Sequence, residues 1–132
     1  MIIDGKNTPL GRLASYAAKN ALKGEEIIIL NCEQTIITGN KKSIEKEFQE
    51  KRERVGSGQK GPKYSKSSDK IVKKTIRGML PDHRKGRGRE AFKRIKCYIG
   101  IPEKYKDSKK ISFEKENKLK FIRTEEVFKW TK

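Results

Sequence analysis

"MIIDGKNTPLGRLASYAAKNALKGEEIIILNC", residues 1–32, is the stretch from which the fold of this chain can be predicted. Its short apolar start, Met1–Asp4, is typical of a strand. Leucines and alanines recur at helical spacing across Leu10–Ala21, and Gly24 follows as a stop. Glu26–Cys32 is a nearly continuous β-branched run, which is typical of a strand covered on both faces. Strand, helix and strand within about thirty residues predict a βαβ unit.

The alternation of strands and helices continues along the chain and predicts a single α/β domain over residues 1–132. Thr8 is interpreted as the N-cap of the first helix, with Pro9 at the first helical position. The apolar side of a later helix is expected to consist of Ile71, Val72, Ile76, Met79 and Leu80. The further elements are a strand and turn at 35–40, a helix at 41–54, a helix at 69–80, one or two helical turns at 89–95 and a strand at 96–101.

Charge is distributed unevenly along the chain. It has 34 Lys and Arg against 17 Asp and Glu, a net charge of +17. Residues 1–50 hold 7 basic and 7 acidic side chains, residues 51–100 hold 17 and 4, and residues 101–132 hold 10 and 6. A surface that is merely solvated normally mixes its signs. The excess in the middle of the chain therefore indicates a polyanionic partner, and nucleic acid is the partner that fits it best.

Arginine and glycine alternate in the most basic stretch, "DHRKGRGRE", residues 82–90. The guanidinium group binds phosphate in a bidentate manner, and glycine lets the backbone come close to a sugar-phosphate chain. On the helix at 69–80, basic residues recur at i, i+3, i+4 and i+7 and form a stripe. The candidate RNA-binding side chains are Lys51, Arg52, Arg54, Lys60, Lys63, Lys66, Lys70, Lys73, Lys74, Arg77, His83, Arg84, Lys85, Arg87, Arg89, Lys93 and Arg94. The glycines expected to allow backbone approach to RNA are Gly56, Gly58, Gly61, Gly86 and Gly88.

"GSGQKG", Gly56–Gly61, fits the G-x-G-x-x-G pattern of dinucleotide-binding loops at every fixed position. Such a loop needs a buried strand before it and a helix after it. Here the charged stretch "KEFQEKRERV" precedes it and Pro62 follows it at once. We therefore interpret the glycines as allowing close approach to phosphates, with Lys60 and Lys63 as counter-charges. A small α/β enzyme that binds a nucleotide at Gly56–Gly61 remains the alternative hypothesis.

Other kinds of site find little support in the sequence. The longest apolar run, Ile27–Leu30, is too short to span a bilayer, and the first residues lack the features of a signal peptide. Cys32 and Cys97 are each flanked by apolar residues and are expected to be buried reduced thiols. One histidine, His83, supports neither a metal site nor a catalytic constellation, so we expect it near phosphates in a loop.

The aromatic residues of the basic region admit two interpretations. Core packing is the expectation for Tyr64, Phe92 and Tyr98. Only Tyr64, which lies in a polar loop, is also open to base stacking.

Four motifs carry a resemblance to a known family: "NTPLGRLAS" at 7–15, "ITGNKK" at 37–42, "TIRGMLP" at 75–81 and "KGRGREAFKRIKCYIGIPEKY" at 85–105. In this order and spacing they resemble the universal large-subunit ribosomal protein thirteen family, from Ile3 to about Tyr105. The basic insert at 51–66 resembles its archaeal and eukaryotic branch. The stretch "KLKFIRTEEVFKW" at 118–130 resembles the closing strand and helix of that branch, more loosely.

The resemblance implies a three-layer α/β/α fold with a four-stranded parallel sheet. It also implies basic loops at 55–68 and 81–90 and a C-terminal extension at 107–132. The implied function is structural, without catalysis: binding of large-subunit ribosomal RNA through the basic loops and support of subunit assembly in the cytoplasm. The implied partners are that RNA and neighbouring large-subunit ribosomal proteins. We expect no cofactor, no metal, no membrane and no small-molecule substrate.

Overall fold

The βαβ unit predicted from residues 1–32 is confirmed by the computed structural model, which describes residues 1–61, 63–114 and 119–127. It consists of strand β1 (Ile2–Asp4), helix α1 (Leu10–Leu22) and strand β2 (Ile27–Leu30). The two strands pair in parallel. The buried face of α1 is made largely of alanines, whose small side chains let the helix lie close to the sheet.

Helix α1 begins one residue later than the sequence predicts, because Pro9 rather than Thr8 is its N-cap. The backbone of Pro9 is extended, and its carbonyl accepts the first helical hydrogen bond from the N–H of Leu13 at 3.1 Å. Thr8 is fully buried instead. Its hydroxyl donates to the carbonyl of Lys6, and its own carbonyl accepts from the N–H of Ile36. The predicted stop is confirmed, since Gly24 has a φ of +102°.

The main sheet has four parallel strands in the order β4-β2-β1-β5. Strand β4 (Ile95–Cys97) pairs with β2, and strand β5 (Ile111–Ser112) pairs with β1. Strand β4 is shorter than the predicted strand at 96–101 and begins one residue earlier. Helices α3 (Ser68–Gly78) and α4 (Gly86–Lys93) pack against α1 and β4. The layered α/β fold with a four-stranded parallel sheet is thus confirmed.

One hydrophobic core joins the sheet to these helices. Its centre consists of apolar side chains that are at most 4% exposed, among them Ile3, Leu13, Ile29, Val72 and Ile95. Cys32 also belongs to this core, whereas Cys97 is half-buried, and both thiols are free. The predicted burial is therefore confirmed for Cys32, whereas Cys97 is less buried than expected.

A second, smaller unit lies beside the main sheet. Strand β3 (Ile36–Thr38) pairs antiparallel with strand β6 (Phe121–Arg123), and helix α2 (Lys41–Glu53) packs against this pair. Its buried cluster consists of Ile44, Ile71, Ile122 and Val127, with Ile37 and Phe48 at its margin. The strand predicted at 35–40 therefore exists, but it belongs to a separate sheet.

The last part of the chain follows the predicted C-terminal extension only in part. After β6 comes one 3₁₀ turn at Thr124–Glu126. The helix expected after this strand falls mainly on residues 128–132, which lie outside the described residues. Within the described ranges, no helix is long and apolar enough to cross a membrane.

Candidate nucleic-acid interface

Helix α3 has one apolar face and one basic face. The apolar face is buried: Ile71 is 7% exposed, and Val72 and Ile76 are fully buried. On the opposite side Lys70 is exposed and the other three cations of the stripe are half-buried. Burial of the apolar face fixes the rotation of the helix, so the predicted stripe of Lys70, Lys73, Lys74 and Arg77 is held at the surface.

One residue assigned to the apolar side of this helix does not lie there. Met79 follows the last helical residue, Gly78, and its side chain is 44% exposed. Its sulfur lies 3.5 Å from the hydroxyl of Ser15 on α1. Leu80 is half-buried and packs on the main core. The helical spacing that predicted Met79 to be buried ends where the helix ends.

Two aromatic rings lie next to the basic stripe. The ammonium group of Lys74 is 3.1 Å from the centre of the Tyr64 ring, and that of Lys73 is 5.0 Å from the centre of the Phe92 ring. His83 meets the edge of Phe92, with 6.3 Å between ring centres. Phe92 is half-buried and lies outside the main core cluster, so its predicted core role is wrong. The position of the Phe92 ring beside the basic stripe was not predicted from the sequence.

The "GSGQKG" stretch folds back on itself. The N–H of Gly61 donates to the carbonyl of Val55 at 2.8 Å, and Gly56 has a φ of +69°. A β-carbon at Gly56 would lie 2.5 Å from the α-carbon of Gly61. These two glycines thus permit the loop to close on its own backbone, which is a role that sequence reasoning did not assign. Helix α2 precedes the loop where a dinucleotide site needs a strand, and the nucleotide-binding alternative is not supported.

Gly58 has a different environment from Gly56 and Gly61. Its φ is +59°, and nothing lies within 4 Å of the position that a β-carbon would take. Its backbone is therefore open to an approaching ligand, and the predicted contact of this loop with RNA stays a prediction.

The basic loop predicted at 81–90 is a loop only as far as Lys85, because α4 begins at Gly86. Arg87 and Arg89 therefore project from the first turn of a helix. The N–H of Arg84 donates to the carboxylate of Asp82 at 3.0 Å, which forms a local turn before the helix. The prediction failed because glycine has a low helix propensity, which tertiary packing overrides here. All three arginines are exposed.

Gly86 and Gly88 have separate reasons to be glycine. Gly86 has a φ of +62° with open space around it. Gly88 is buried, and a β-carbon there would clash with the carbonyl oxygens of Pro81 and Asp82. Gly88 thus holds the turn against the helix, and its backbone faces the protein.

Some of the predicted contact residues have hydrogen-bond or ion-pair partners within the chain. The guanidinium of Arg52 donates to the carbonyl of Tyr64 at 2.7 Å, which ties the end of α2 to the loop. Arg94 donates to the carbonyl of Ala21 at 3.1 Å. Lys51 pairs with Glu47 at 2.6 Å, one helical turn away. Arg52 and Arg94 therefore contribute to the fold, whatever they contact outside it.

Three consecutive cavities run along the loop and α3 and share lining residues; we call them together the basic groove. The first, of about 590 Å³, is lined by Arg54, Lys63 and Tyr64 among others. The second, of about 200 Å³, lies between Tyr64, Phe48 and α3. The third, of about 220 Å³, is lined by Phe92 and a set of cations: Lys63, Lys70, Lys73, Lys74 and Arg77.

The five cations of the third cavity line the same space. Within the described ranges, no carboxylate lies within ion-pair distance of any of these five side chains. Like charges that converge without partners repel each other, and the repulsion is relieved when a polyanion binds. The predicted residues Arg84, Lys85, Arg87, Arg89 and Lys93 line none of the three cavities and form a second basic area on the 81–93 segment.

Comparison with known proteins assigns the chain to a family. The sequence model of the family described as ribosomal protein L13 matches residues 1–104. The chain belongs to the ribosomal protein L13 family. This membership confirms the resemblance carried by the four motifs, and it makes the chain a ribosomal protein with a structural rather than an enzymatic function.

Archaeal members of the ribosomal protein L13 family are similar over most of the chain. A protein of Methanocaldococcus jannaschii, named large ribosomal subunit protein uL13, is 47% identical over 131 residues, which cover 97% of this chain and 94% of that protein. Proteins of the same name from Methanopyrus kandleri and Natronomonas pharaonis are 52% and 41% identical, over 76% and 96% of this chain and 62% and 87% of their own lengths. The first and third alignments extend beyond residue 104, so these relatives share much of the C-terminal extension.

Clusters of metal-ligating side chains are absent from the part of the chain that is described. No group of three or more His, Cys, Asp or Glu side chains there is arranged to hold a metal ion. The features available for chemistry are the five cations of the third cavity, the two rings and the open backbone at Gly58 and Gly86.

Proposed function

We propose that this chain is a constituent of the large ribosomal subunit that binds large-subunit ribosomal RNA through two basic surfaces. One surface is the basic groove, and the other is the 81–93 segment with Arg84, Arg87 and Arg89. Neighbouring large-subunit ribosomal proteins are its further partners, and the cytoplasmic ribosome is its place of action. Its relatives carry the name of a large-subunit protein, which supports the assignment to that subunit.

The convergence of five cations without carboxylate partners in the third cavity carries this proposal. Family membership identifies a ribosomal protein, and this cluster supports the groove as the RNA-binding surface that we propose. Each charge-assisted hydrogen bond to phosphate contributes about 1.5–3 kcal/mol at best. Several such contacts, with the counterions that they release from RNA, provide a stable complex.

The experiment compares three triple variants with wild type for binding to a large-subunit ribosomal RNA fragment. The first variant is Lys63→Ala/Lys70→Ala/Arg77→Ala in the groove, and the second is Arg84→Ala/Arg87→Ala/Arg89→Ala. The charge-matched control is Lys41→Ala/Lys42→Ala/Lys46→Ala on the exposed face of α2. Circular dichroism and thermal unfolding establish that each variant is folded.

We expect the groove and arginine variants each to lose at least about tenfold in affinity, which corresponds to about 1.4 kcal/mol. The control should lose less than about threefold, and all melting temperatures should stay within a few degrees of wild type, since surface substitutions are usually worth about 0.5 kcal/mol or less. Equal losses in all three variants would mean that the two surfaces are not specific sites. Wild-type affinity in both test variants would contradict the proposed interface.

A further inference from the structure

We propose that the basic groove binds an unpaired stretch of RNA rather than a duplex, with Tyr64 and Phe92 as stacking platforms for its bases. The inference rests on the proposed function in that the ligand is RNA. It goes further by specifying that the RNA is unpaired, and by naming the side chains that distinguish unpaired RNA from a duplex.

The first observation is the placement of the two rings. Tyr64 lines both the first and the second cavity, and Phe92 lines the third. Both rings are half-buried, and neither belongs to either hydrophobic cluster. An aromatic side chain that lines a groove and takes no part in a core can offer a ligand the ring face that its own lysine does not cover. Any nucleobase has a flat face that can stack on such a ring, whatever the sequence.

The second observation is that a cation accompanies each ring. Lys74 lies 3.1 Å from the centre of Tyr64, and Lys73 lies 5.0 Å from the centre of Phe92. Each ammonium group lies over one face of its ring, which leaves the opposite face for a base. A stacked base is covalently joined to its phosphate, so a ring with a cation on one face and a base on the other matches the two ends of one nucleotide. The pattern occurs twice along the groove, with Lys70 on the wall shared by the second and third cavities.

The form of the RNA follows from where the rings lie. In a duplex the bases stack on one another inside the helix, and an A-form duplex offers mainly phosphates and 2′-hydroxyl groups to a protein surface. Cations reach those phosphates, but rings recessed among lysines cannot reach the faces of paired bases. In an unpaired stretch the bases can be splayed out, so rings and cations are engaged together.

The test measures binding of one unstructured oligoribonucleotide, alone and annealed to its complement, at a single moderate salt concentration. Wild type should bind the single strand more tightly than the duplex. Tyr64→Leu and Phe92→Leu should each weaken single-strand binding by about fivefold or more, as expected for the loss of one stacked base. Binding of the duplex should change by less than about twofold, because the cations are untouched.

Conservative and distant substitutions serve as controls. Tyr64→Phe and Phe92→Tyr keep a flat ring and should bind the single strand like wild type. Tyr105→Leu removes a half-buried ring that packs on Tyr98, away from the groove, and should also bind like wild type. Ultraviolet cross-linking of wild type to the oligoribonucleotide, with peptides mapped by mass spectrometry, should attach RNA at Tyr64 and Phe92. That measurement holds even if a leucine variant does not fold.

Three outcomes would overturn the inference: duplex and single strand bound equally by wild type, leucine variants that bind the single strand like wild type, or cross-links at neither ring. Binding of wild type to the large-subunit ribosomal RNA fragment distinguishes these three outcomes from failure of the proposed function. If wild type binds that fragment while any of the three occurs, the proposed function stands and the stacking platforms do not. If wild type does not bind the fragment, the proposed function itself fails.

Discussion

Gly88 is the single residue that most tightly constrains the basic 81–93 segment. It is buried in the first turn of α4, against the carbonyl oxygens of Pro81 and Asp82. We expect Gly88→Ala to destabilise the fold by about 1–3 kcal/mol, the usual cost of overpacking. Thermal unfolding followed by circular dichroism measures this change.

The matched control for this prediction is Gly78→Ala at the end of α3. A β-carbon at Gly78 meets nothing within 4 Å, and alanine favours a helix over glycine by up to about 1 kcal/mol. The control variant should therefore unfold at or slightly above the wild-type temperature. If Gly88→Ala unfolds no earlier than Gly78→Ala, the described packing of the turn against α4 is wrong.

Cys32 is a second residue whose environment predicts a measurable effect. A hydrogen bond with the thiol of Cys97, together with burial, raises the pKa of the Cys32 thiol well above its ordinary value. The thiol is neutral when protonated, so a raised pKa means that the folded state keeps a proton that the unfolded state releases. This stabilisation is complete below the pKa of an unfolded thiol, about 8.5, and is lost as the pH rises above it.

We therefore expect the free energy of unfolding to fall above about pH 8.5, with a contribution from this thiol of up to about 1.4 kcal/mol per pH unit. Urea unfolding of wild type and Cys32→Ala between about pH 7 and about pH 10 isolates that contribution, since both proteins share the titration of their lysines. The variant should be less stable at neutral pH but should lose less stability on going to alkaline pH. Parallel pH profiles for the two proteins would show that Cys32 does not titrate differently on unfolding.

At the scale of elements, the antiparallel pair of β3 and β6 connects the C-terminal part of the chain to α2 and α3. Ile122 and Phe121 are neighbours on β6 and so point to opposite faces. Ile122 is fully buried in the second cluster, and Phe121 is 41% exposed. Ile122→Ala should cost about 2–5 kcal/mol, because it leaves a cavity in a packed cluster.

Phe121→Ala is the control for this prediction, with an expected cost of less than about 1 kcal/mol. Chemical unfolding at neutral pH measures both variants. A similar small cost in both would mean that the second cluster contributes little to stability and that the β3–β6 pair is an accessory of the fold. That result would not bear on the packing of the main sheet, since Ile122 belongs to a separate cluster from Ile3 and Ile29.

For the whole molecule, the relevant quantity is the distribution of its net charge of +17, most of which comes from residues 51–100. If the groove and the 81–93 segment neutralise several phosphates, the binding constant should fall by about 0.7–0.9 log units per log unit of salt for each contact. Titrations of the large-subunit ribosomal RNA fragment at a series of salt concentrations give the total slope. Removing Arg84, Arg87 and Arg89 should reduce that slope, whereas a slope near zero for wild type would contradict electrostatic binding.

The sequence by itself determined the features that depend on local order. The βαβ unit follows from the spacing of apolar residues in 1–32, and the basic stripe of α3 follows from a period of three and four residues. The concentration of positive charge in 51–100 is a property of composition and needs no structure. The four motifs were enough to identify the family.

Only the tertiary structure decided the features that join distant parts of the chain. The pairing of β3 with β6 was not predictable, because three-residue strands are too short for their pattern to specify a partner. The contact of Gly56 with Gly61 and the burial of Gly88 depend on how the backbone returns upon itself. The sequence predicts Phe92 to be a core residue, but the structure places its ring under Lys73 of α3, in the wall of the groove. Periodicity fixes which side of an element is apolar, but the neighbour that covers that side, and the ring left uncovered, depend on packing between segments that are far apart in sequence.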